Sequence, residues 1–118
     1  MRNRGVSGAV MKKVTLSEAL RAVAAEEGMY ARLLIEPCGD LGFYRPRPTD
    51  TQGPHLRDEL YLIASGRGTF ICGGERTSFE PGDVLFVPRA TEHRFEDFSD
   101  EFAAWVVFFG PASEGSDD

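Results

Sequence analysis

The chain has two histidines, His55 and His93, and each stands at the start of a predicted strand. Glu59 follows His55 by four residues, and side chains alternate between the two faces of a strand, so His55, Glu59 and Tyr61 share one face. Tyr61 is typical of a barrel interior, which predicts that Glu59 and His55 also point inward. A buried carboxylate beside a buried imidazole must be ion-paired, hydrogen-bonded or metal-bound. These residues are therefore the first candidates for chemistry.

Other side chains can complete a small-molecule pocket, which is usually apolar with a few converging polar groups. The Tyr61 hydroxyl is a candidate acid or hydrogen-bond donor beside Glu59, and these two residues are the candidate catalytic groups. Arg45 is a candidate for binding a substrate carboxylate through its guanidinium. Phe95 and Trp105 are candidate substrate-binding walls. Each of them also has a structural interpretation, as a core tyrosine, a solvated arginine or a core aromatic.

The composition excludes several classes of function. A chain of 118 residues with 42% hydrophobic and 27% charged residues is typical of one globular domain. Its net charge of −6 argues against a nucleic-acid surface, which needs basic side chains to meet phosphates, and against binding to an anionic membrane. No apolar run approaches the length of about 18 residues that a membrane span requires. Arg57 shares the parity of His55, but its place near a strand start predicts a solvent-exposed side chain.

Lysine and cysteine chemistry is also disfavoured. The only lysines, Lys12 and Lys13, lie near the N-terminus, so no amine is available in the core for a Schiff base. Cys38 and Cys72 form neither a CxxC motif nor a disulfide framework, and we predict two free thiols. The basic first residues are not followed by an apolar segment, so we expect no signal peptide and a cytoplasmic location.

The N-terminal part predicts one helix, over Thr15–Glu27. Thr15 and Glu18 have the spacing of a capping box, and Gly28 supplies the left-handed residue that ends a helix. We expect residues 1–12 to be a flexible extension and the helix to lie outside a larger body. The remaining boundaries follow from composition: a single domain over 13–111, with its barrel over about 30–111, and a disordered acidic tail over 112–118.

After the helix, short apolar runs alternate with Gly, Pro and Asp clusters, which predicts a β-sandwich or barrel. The predicted strands are Tyr30–Glu36, Gly42–Arg45, Glu59–Ala64, Gly68–Cys72, Arg76–Phe79, Val84–Val87, His93–Phe95 and Phe102–Phe109. Three segments, Leu60–Ile63, Val84–Val87 and Ala103–Phe109, are apolar on both parities, so we expect both of their faces to be covered. The cover is a second sheet, the helix or another subunit, and the shortness of the chain favours a homodimer.

Two segments resemble the motifs of the cupin superfamily, and the resemblance extends over Tyr30–Pro111. The segment Pro54–Gly66, with His55 and Glu59, resembles the first motif, and Gly82–His93 resembles the second. The resemblance implies an all-β fold, a double-stranded β-helix or jelly-roll barrel, here with one N-terminal helix. It does not fix the reaction, because one fold carries many activities.

The resemblance implies that His55, Glu59 and His93 bind a divalent metal ion. Two imidazoles and one carboxylate with open positions form a facial triad, which suits non-haem Fe(II), although Mn, Ni and Zn accept the same ligands. Gly53 stands where the family has its first motif histidine, so the fourth ligand is absent or different. Gln52 is the nearest oxygen donor and is the candidate for that position.

The favoured function is metal-dependent chemistry on a small organic molecule inside the barrel, either dioxygenase-like oxidation or isomerisation. One alternative is a non-catalytic module that binds or senses a small ligand, with or without metal. Another is metal-free acid–base chemistry in which His55, Glu59 and Tyr61 carry protons. The expected partners are a small-molecule ligand and a second copy of the chain, without nucleic acid or membrane.

Overall fold

A helix comes first in the described part of the chain, and the strands that follow it form two antiparallel sheets. The structure, a computed structural model, describes residues 10–26, 29–47 and 53–111. The five-stranded sheet has the order β1-β2-β8-β3-β6, and the three-stranded sheet has the order β5-β4-β7. The elements are α1 (Leu16–Ala24), β1 (Tyr30–Glu36), β2 (Gly39–Tyr44), β3 (Asp58–Ser65), β4 (Gly68–Cys72), β5 (Glu75–Phe79), β6 (Val84–Val87), β7 (His93–Glu96) and β8 (Ala103–Phe109). The predicted all-β class with one helix is therefore confirmed.

Helix α1 begins at the predicted capping box. The Glu18 backbone N–H donates to Thr15 Oγ1 at 3.0 Å, and the Thr15 N–H donates to Glu18 Oε1 at 2.8 Å. The helix ends at Ala24, so the predicted end at Glu27 was wrong. After the last helical residue, the N–H groups of Ala25 and Glu26 still donate hydrogen bonds to the carbonyl oxygens of Ala22 and Val23. The predicted stop at Gly28, most of the 1–12 extension and the 112–118 tail lie outside the described residues.

Each predicted strand is found within the described residues, with its bounds correct to within one residue except in β2. Strand β2 begins at Gly39 rather than Gly42, because the turn between β1 and β2 takes only Pro37 and Cys38. The longer β2 runs antiparallel to β8 from Gly39 to Tyr44, and β8 is in turn paired with β3. This pairing joins β2 to the strand that carries Glu59.

Two apolar clusters lie on opposite faces of the five-stranded sheet. The inner cluster fills the space between the sheets and includes Tyr61, Phe70, Phe79, Phe95 and Phe102. The outer cluster joins α1 to the other face of the sheet and consists of buried Ala19, Val23, Ala31, Phe43 and Ala103, with Trp105 packed against them. The barrel interior is thus aromatic, and the helix covers the outside.

The helix covers only part of the outer face. Val84 and Phe86 of β6 are 58% and 52% exposed, and Leu62 of β3 is also exposed. Within one chain, the main contacts of α1 are with β1 and β2, so the outer face of β6 and part of β3 stay open, and their predicted cover by another subunit remains a prediction. Both cysteines are free thiols, as predicted. None of the described helices is long and apolar enough to cross a membrane.

Candidate metal centre

His55, Glu59 and His93 come together on the inner face of the barrel. His55 precedes β3, Glu59 is the second residue of β3, and His93 is the first residue of β7 in the opposite sheet. One ligand atom from each of the three side chains lies within 4.8 Å of the other two. The alternation along β3 and the position of the second motif therefore identified residues that the fold does bring together.

Glu59 is the most unusual group of the site. Its side chain is fully buried, and neither carboxylate oxygen has a hydrogen-bond partner within the described ranges. Its Oε1 lies 3.1 Å from His93 Nε2 and 3.9 Å from His55 Nε2. Burial of an ionised carboxylate without hydrogen bonds costs several kcal/mol, roughly, unless a cation compensates it. Either a protonated imidazole or a metal ion must therefore accompany the charged form of Glu59.

The hydrogen bonds of His93 fix its orientation. His93 Nδ1 lies 2.9 Å from the carbonyl oxygen of Thr91. A carbonyl only accepts, so Nδ1 carries a proton, and Nε2 of the neutral ring presents a lone pair. That nitrogen lies 3.1 Å from the Tyr61 hydroxyl and 3.1 Å from Glu59 Oε1. A backbone carbonyl at the far nitrogen is the usual support of a metal-binding histidine.

His55 is held at the rim of the barrel. Its ring packs edge-on against Phe108 at 5.1 Å and lies 5.4 Å from the ring of His93. The backbone N–H of Ala90 donates to the His55 carbonyl, which ties the loop before β7 to the segment before β3. The His55 side chain is 26% exposed, whereas those of Glu59 and His93 are fully buried. The site is thus open to solvent on the His55 side.

Two residues in and just after the segment Gly82–His93 have a left-handed backbone conformation. Ala90 and Asp97, where the resemblance leads one to expect glycine and asparagine, have φ values of 63° and 53°. This left-handed conformation suits glycine and is tolerated by asparagine and aspartate, but it costs an alanine roughly 1–2 kcal/mol. The loop that holds His55 is therefore strained at Ala90.

Tyr61 and Phe95 lie directly behind the ligand group. Tyr61 is buried, and its hydroxyl contacts His93, so it is placed beside the site as predicted. The Phe95 ring packs edge-on against the Tyr61 ring at 4.9 Å and is itself almost fully buried. Phe95 is thus a core residue that supports Tyr61.

Two other predicted site residues, Trp105 and Arg45, do not join this group. Trp105 lies on the outer face of β8, with its ring 5.0 Å from Phe43, so its prediction as a pocket wall was wrong. Arg45 follows inward-facing Tyr44, and it lines a small cavity with Val23 beside α1, which also corrects its predicted place in the barrel. Gln52 lies outside the described residues.

Arg57 is the residue that sequence reasoning missed. Its side chain is only 16% exposed, because it turns inward and contacts Asp40 of β2. The parity that it shares with Glu59 was the available indication, but the strand start suggested solvent. Asp40 itself is buried and also accepts from Arg32.

Tyr30 adds a neutral group near these charges. Burial raises the pKa of Tyr30 to about 12, Arg32 partly opposes this shift, and the negative charges of Asp40 and Glu59 add to it. Its ring packs edge-on against Phe108 at 6.4 Å. Tyr30 therefore stays protonated at neutral pH on the rim side of the ligand group.

Two facing antiparallel sheets with a His-Glu-His group on their inner surface define a cupin domain. The Cupin_2 family model, described as a cupin domain, matches residues 44–109, which is more than half of the chain. The chain belongs to this family.

Relatives share the fold over most of the chain. An uncharacterized protein of Streptomyces coelicolor is 36% identical over 105 residues, 87% of this chain and 100% of that protein. A Rhizobium leguminosarum structure of unknown function has a TM-score of 0.67 and 19% identity, covering 87% of this chain and 100% of that one. A cupin 2 conserved barrel protein from Salinispora arenicola has a TM-score of 0.59 and 23% identity, covering 69% of this chain and 74% of that one. The structural likeness shows the fold alone.

Proposed function

We propose that the protein holds a divalent metal ion through His55, Glu59 and His93 and acts on a small organic molecule at the open positions of that ion. The reaction is dioxygenase-like oxidation or isomerisation. The observation that carries this proposal is the Glu59 carboxylate, which is fully buried and has no hydrogen bond to either oxygen within the described ranges.

The spacing of the donor atoms supports a metal ion in this place. Ligands bound to one ion at about 2.0–2.2 Å lie roughly 3 Å apart when they are adjacent in its coordination sphere. Glu59 Oε1 is 3.1 Å from His93 Nε2 and 3.9 Å from His55 Nε2, so small side-chain adjustments would suffice. In the neutral form of His93, Nε2 faces the carboxylate with its lone pair, an arrangement that a shared cation would make favourable.

The remaining groups have distinct tasks in this proposal. A bound ion supplies Lewis acidity or a site for O₂. Tyr61 holds a proton beside His93 Nε2, 3.1 Å away, and Glu59 is the other candidate for proton transfer. The rings of Phe70 and Phe108 lie against the two histidines and limit access of water. The small organic molecule enters the barrel on the exposed side of His55.

A metal-free binding module is the second candidate. Gly53 stands where the family has its first motif histidine, which removes one ligand, and a Cβ added there would meet nothing within 4 Å. With His93 protonated, the ring can pair with Glu59 without any metal. Such a chain would bind or sense a small ligand, or carry protons through His55, Glu59 and Tyr61.

Elemental analysis of protein purified without affinity tag or chelator distinguishes the two candidates. We expect close to one Fe, Mn, Ni or Zn per chain, and loss of that metal in His55→Ala. Arg94→Ala, an exposed change in β7, is the matched control and should keep its metal. Absence of metal from wild type, even after each of the four ions is added back, would overturn the metal proposal and favour the binding module.

We further infer that the exposed part of the outer face, formed by Leu62, Val84 and Phe86, binds a second copy of the chain. Strand β6 is an edge strand of the five-stranded sheet, and its exposed apolar patch can pair with the same patch of a second copy across a twofold axis. Sedimentation should show a dimer that Phe86→Glu dissociates. A wild-type monomer, or a heteromeric complex only, would contradict this inference.

We propose that the protein works in the reducing cytoplasm, because its two cysteines are free thiols.

A further inference from the structure

A second charged group, Arg32, Asp40 and Arg57, lies on the same inner face as the metal centre. Asp40 of β2 pairs with Phe108 of β8, and Phe108 pairs with Glu59 of β3. Asp40 and Glu59 therefore belong to one cross-strand row. Adjacent strands lie about 4.8 Å apart, so the two backbones are roughly 10 Å apart across the row.

This group carries an excess positive charge. Asp40 is only 8% exposed, and its Oδ2 accepts from Arg32 Nη2 at 2.9 Å and from Arg57 Nη1 at 3.4 Å. A guanidinium stays charged at all ordinary pH values. One carboxylate thus faces two cations. The three side chains carry a net charge of +1, beside the buried carboxylate of the proposed metal centre.

Arg57 is positioned without being tightly bound. Its Nε donates to the Gly110 carbonyl at 3.3 Å, and its Nη1 contacts Asp40 at 3.4 Å. Charge-assisted hydrogen bonds are usually about 2.7–2.9 Å long, so both contacts are weak. The guanidinium has five N–H donors in a planar fork. The contacts within the described residues orient this fork and leave it able to bind a stronger acceptor.

We propose that Arg57, assisted by Arg32, binds the carboxylate of a small organic acid whose second oxygen donor reaches the metal centre. This inference rests on the proposed function and names its substrate class. A planar guanidinium binds a carboxylate through two parallel hydrogen bonds. The single excess charge matches a carboxylate better than a doubly charged phosphate. The Arg57 guanidinium contacts Asp40, whose backbone lies roughly 10 Å from that of Glu59, so the acid must be long enough to span the two groups, and acids of three to five carbons sample that length.

The alternative is that Arg57 only ties β2 and β8 to the segment before β3. Calorimetric titration separates the two roles. The probes are malonate, succinate and glutarate, each compared with its neutral diamide, on protein loaded with Mn²⁺ or Zn²⁺. We expect one diacid to bind at least tenfold more tightly than its diamide, and Arg57→Gln to lose at least tenfold of that affinity. Arg67→Gln, at an exposed arginine paired with Glu80, is the control and should bind like wild type.

Metal content is measured on the same samples, so the two proposals fail in different ways. If Arg57→Gln keeps its metal and binds the diacid like wild type, or if diacid and diamide bind equally, the carboxylate inference is overturned and the metal proposal stands. If wild type takes up no metal, the proposed function fails first, and this inference fails with it. Should Arg57→Gln not fold, Arg32→Gln replaces it, because Arg32 is half exposed, and we expect at least a threefold loss.

Discussion

The two ends of the barrel interior differ in how well their buried groups are satisfied. At one end, Phe79, Phe95 and Phe102 pack ring to ring, with centroids 4.7–5.4 Å apart. At the other end, Glu59 is buried without a hydrogen bond in the described part of the chain, and Ala90 has a left-handed backbone. Strand β3 passes through both environments. The aromatic end stabilises the fold. At the histidine end, the buried Glu59 carboxylate and the left-handed Ala90 lower the stability, and the carboxylate is a group that can bind a cation.

The largest expected effect is at the aromatic end. Phe95→Ala should lower the free energy of unfolding by about 3–5 kcal/mol, because it removes a fully packed ring and leaves a cavity. Urea denaturation measures this loss. Phe86→Ala on the exposed outer face is the control, and at concentrations where the chain is monomeric it should cost less than about 1 kcal/mol. Equal losses of unfolding free energy in Phe95→Ala and Phe86→Ala would contradict the assignment of the packed core to the barrel interior.

Tyr30 tests the electrostatics of the histidine end. Its folded-state pKa of about 12 lies above the ordinary value of 10, so folding favours the protonated phenol. That contribution is complete below pH 10 and is lost as the pH rises from 10 to 12. With allowance for partial exposure, wild type should lose up to about 2 kcal/mol more than Tyr30→Phe over this window. Urea unfolding at pH 8 and pH 11.5 measures the difference, and identical losses would refute a raised pKa.

The smallest expected effect is at the strained loop. Ala90→Gly should raise the free energy of unfolding by up to about 1 kcal/mol, because relief of the left-handed strain exceeds the extra chain entropy of glycine. Glycine at Ala64, within β3, is the control and should destabilise. Thermal melting of the two variants measures whether each substitution raises or lowers the stability. A destabilised Ala90→Gly would show that the loop carries no strain at this residue.

The sequence predicted the inner face of β3 because a strand has only two faces. Tyr61 fixed which face is inward, and Glu59 followed from parity. The same reasoning failed for Trp105, because β8 is apolar on both faces and its orientation depends on pairing with Phe43 of β2. When both faces of a strand carry apolar side chains, the sequence does not indicate which face points into the barrel.

The charged residues show a second limit. Arg45 was a candidate for a place in the barrel or in solvent, but it follows inward-facing Tyr44 and lines a small cavity beside α1. Arg57 was expected in solvent, but it lies across Gly110 and reaches Asp40. Asp40 lies outside the predicted strand Gly42–Arg45, so no partner for Arg57 was apparent from the sequence. Long side chains near strand ends are positioned by tertiary contacts that local patterns do not contain.

The most direct test of the account is metal-dependent stability in wild type and Glu59→Gln, a substitution that keeps the shape and removes the charge. Unfolding is measured in urea with and without Fe²⁺, Mn²⁺, Ni²⁺ or Zn²⁺. The account predicts that at least one ion stabilises wild type, by about 2.7 kcal/mol when its concentration is 100-fold above the dissociation constant. Glu59→Gln should gain little from the same ion. Failure of all four ions to stabilise wild type, or an equal gain in Glu59→Gln, would contradict the claim that this carboxylate is buried to bind a metal.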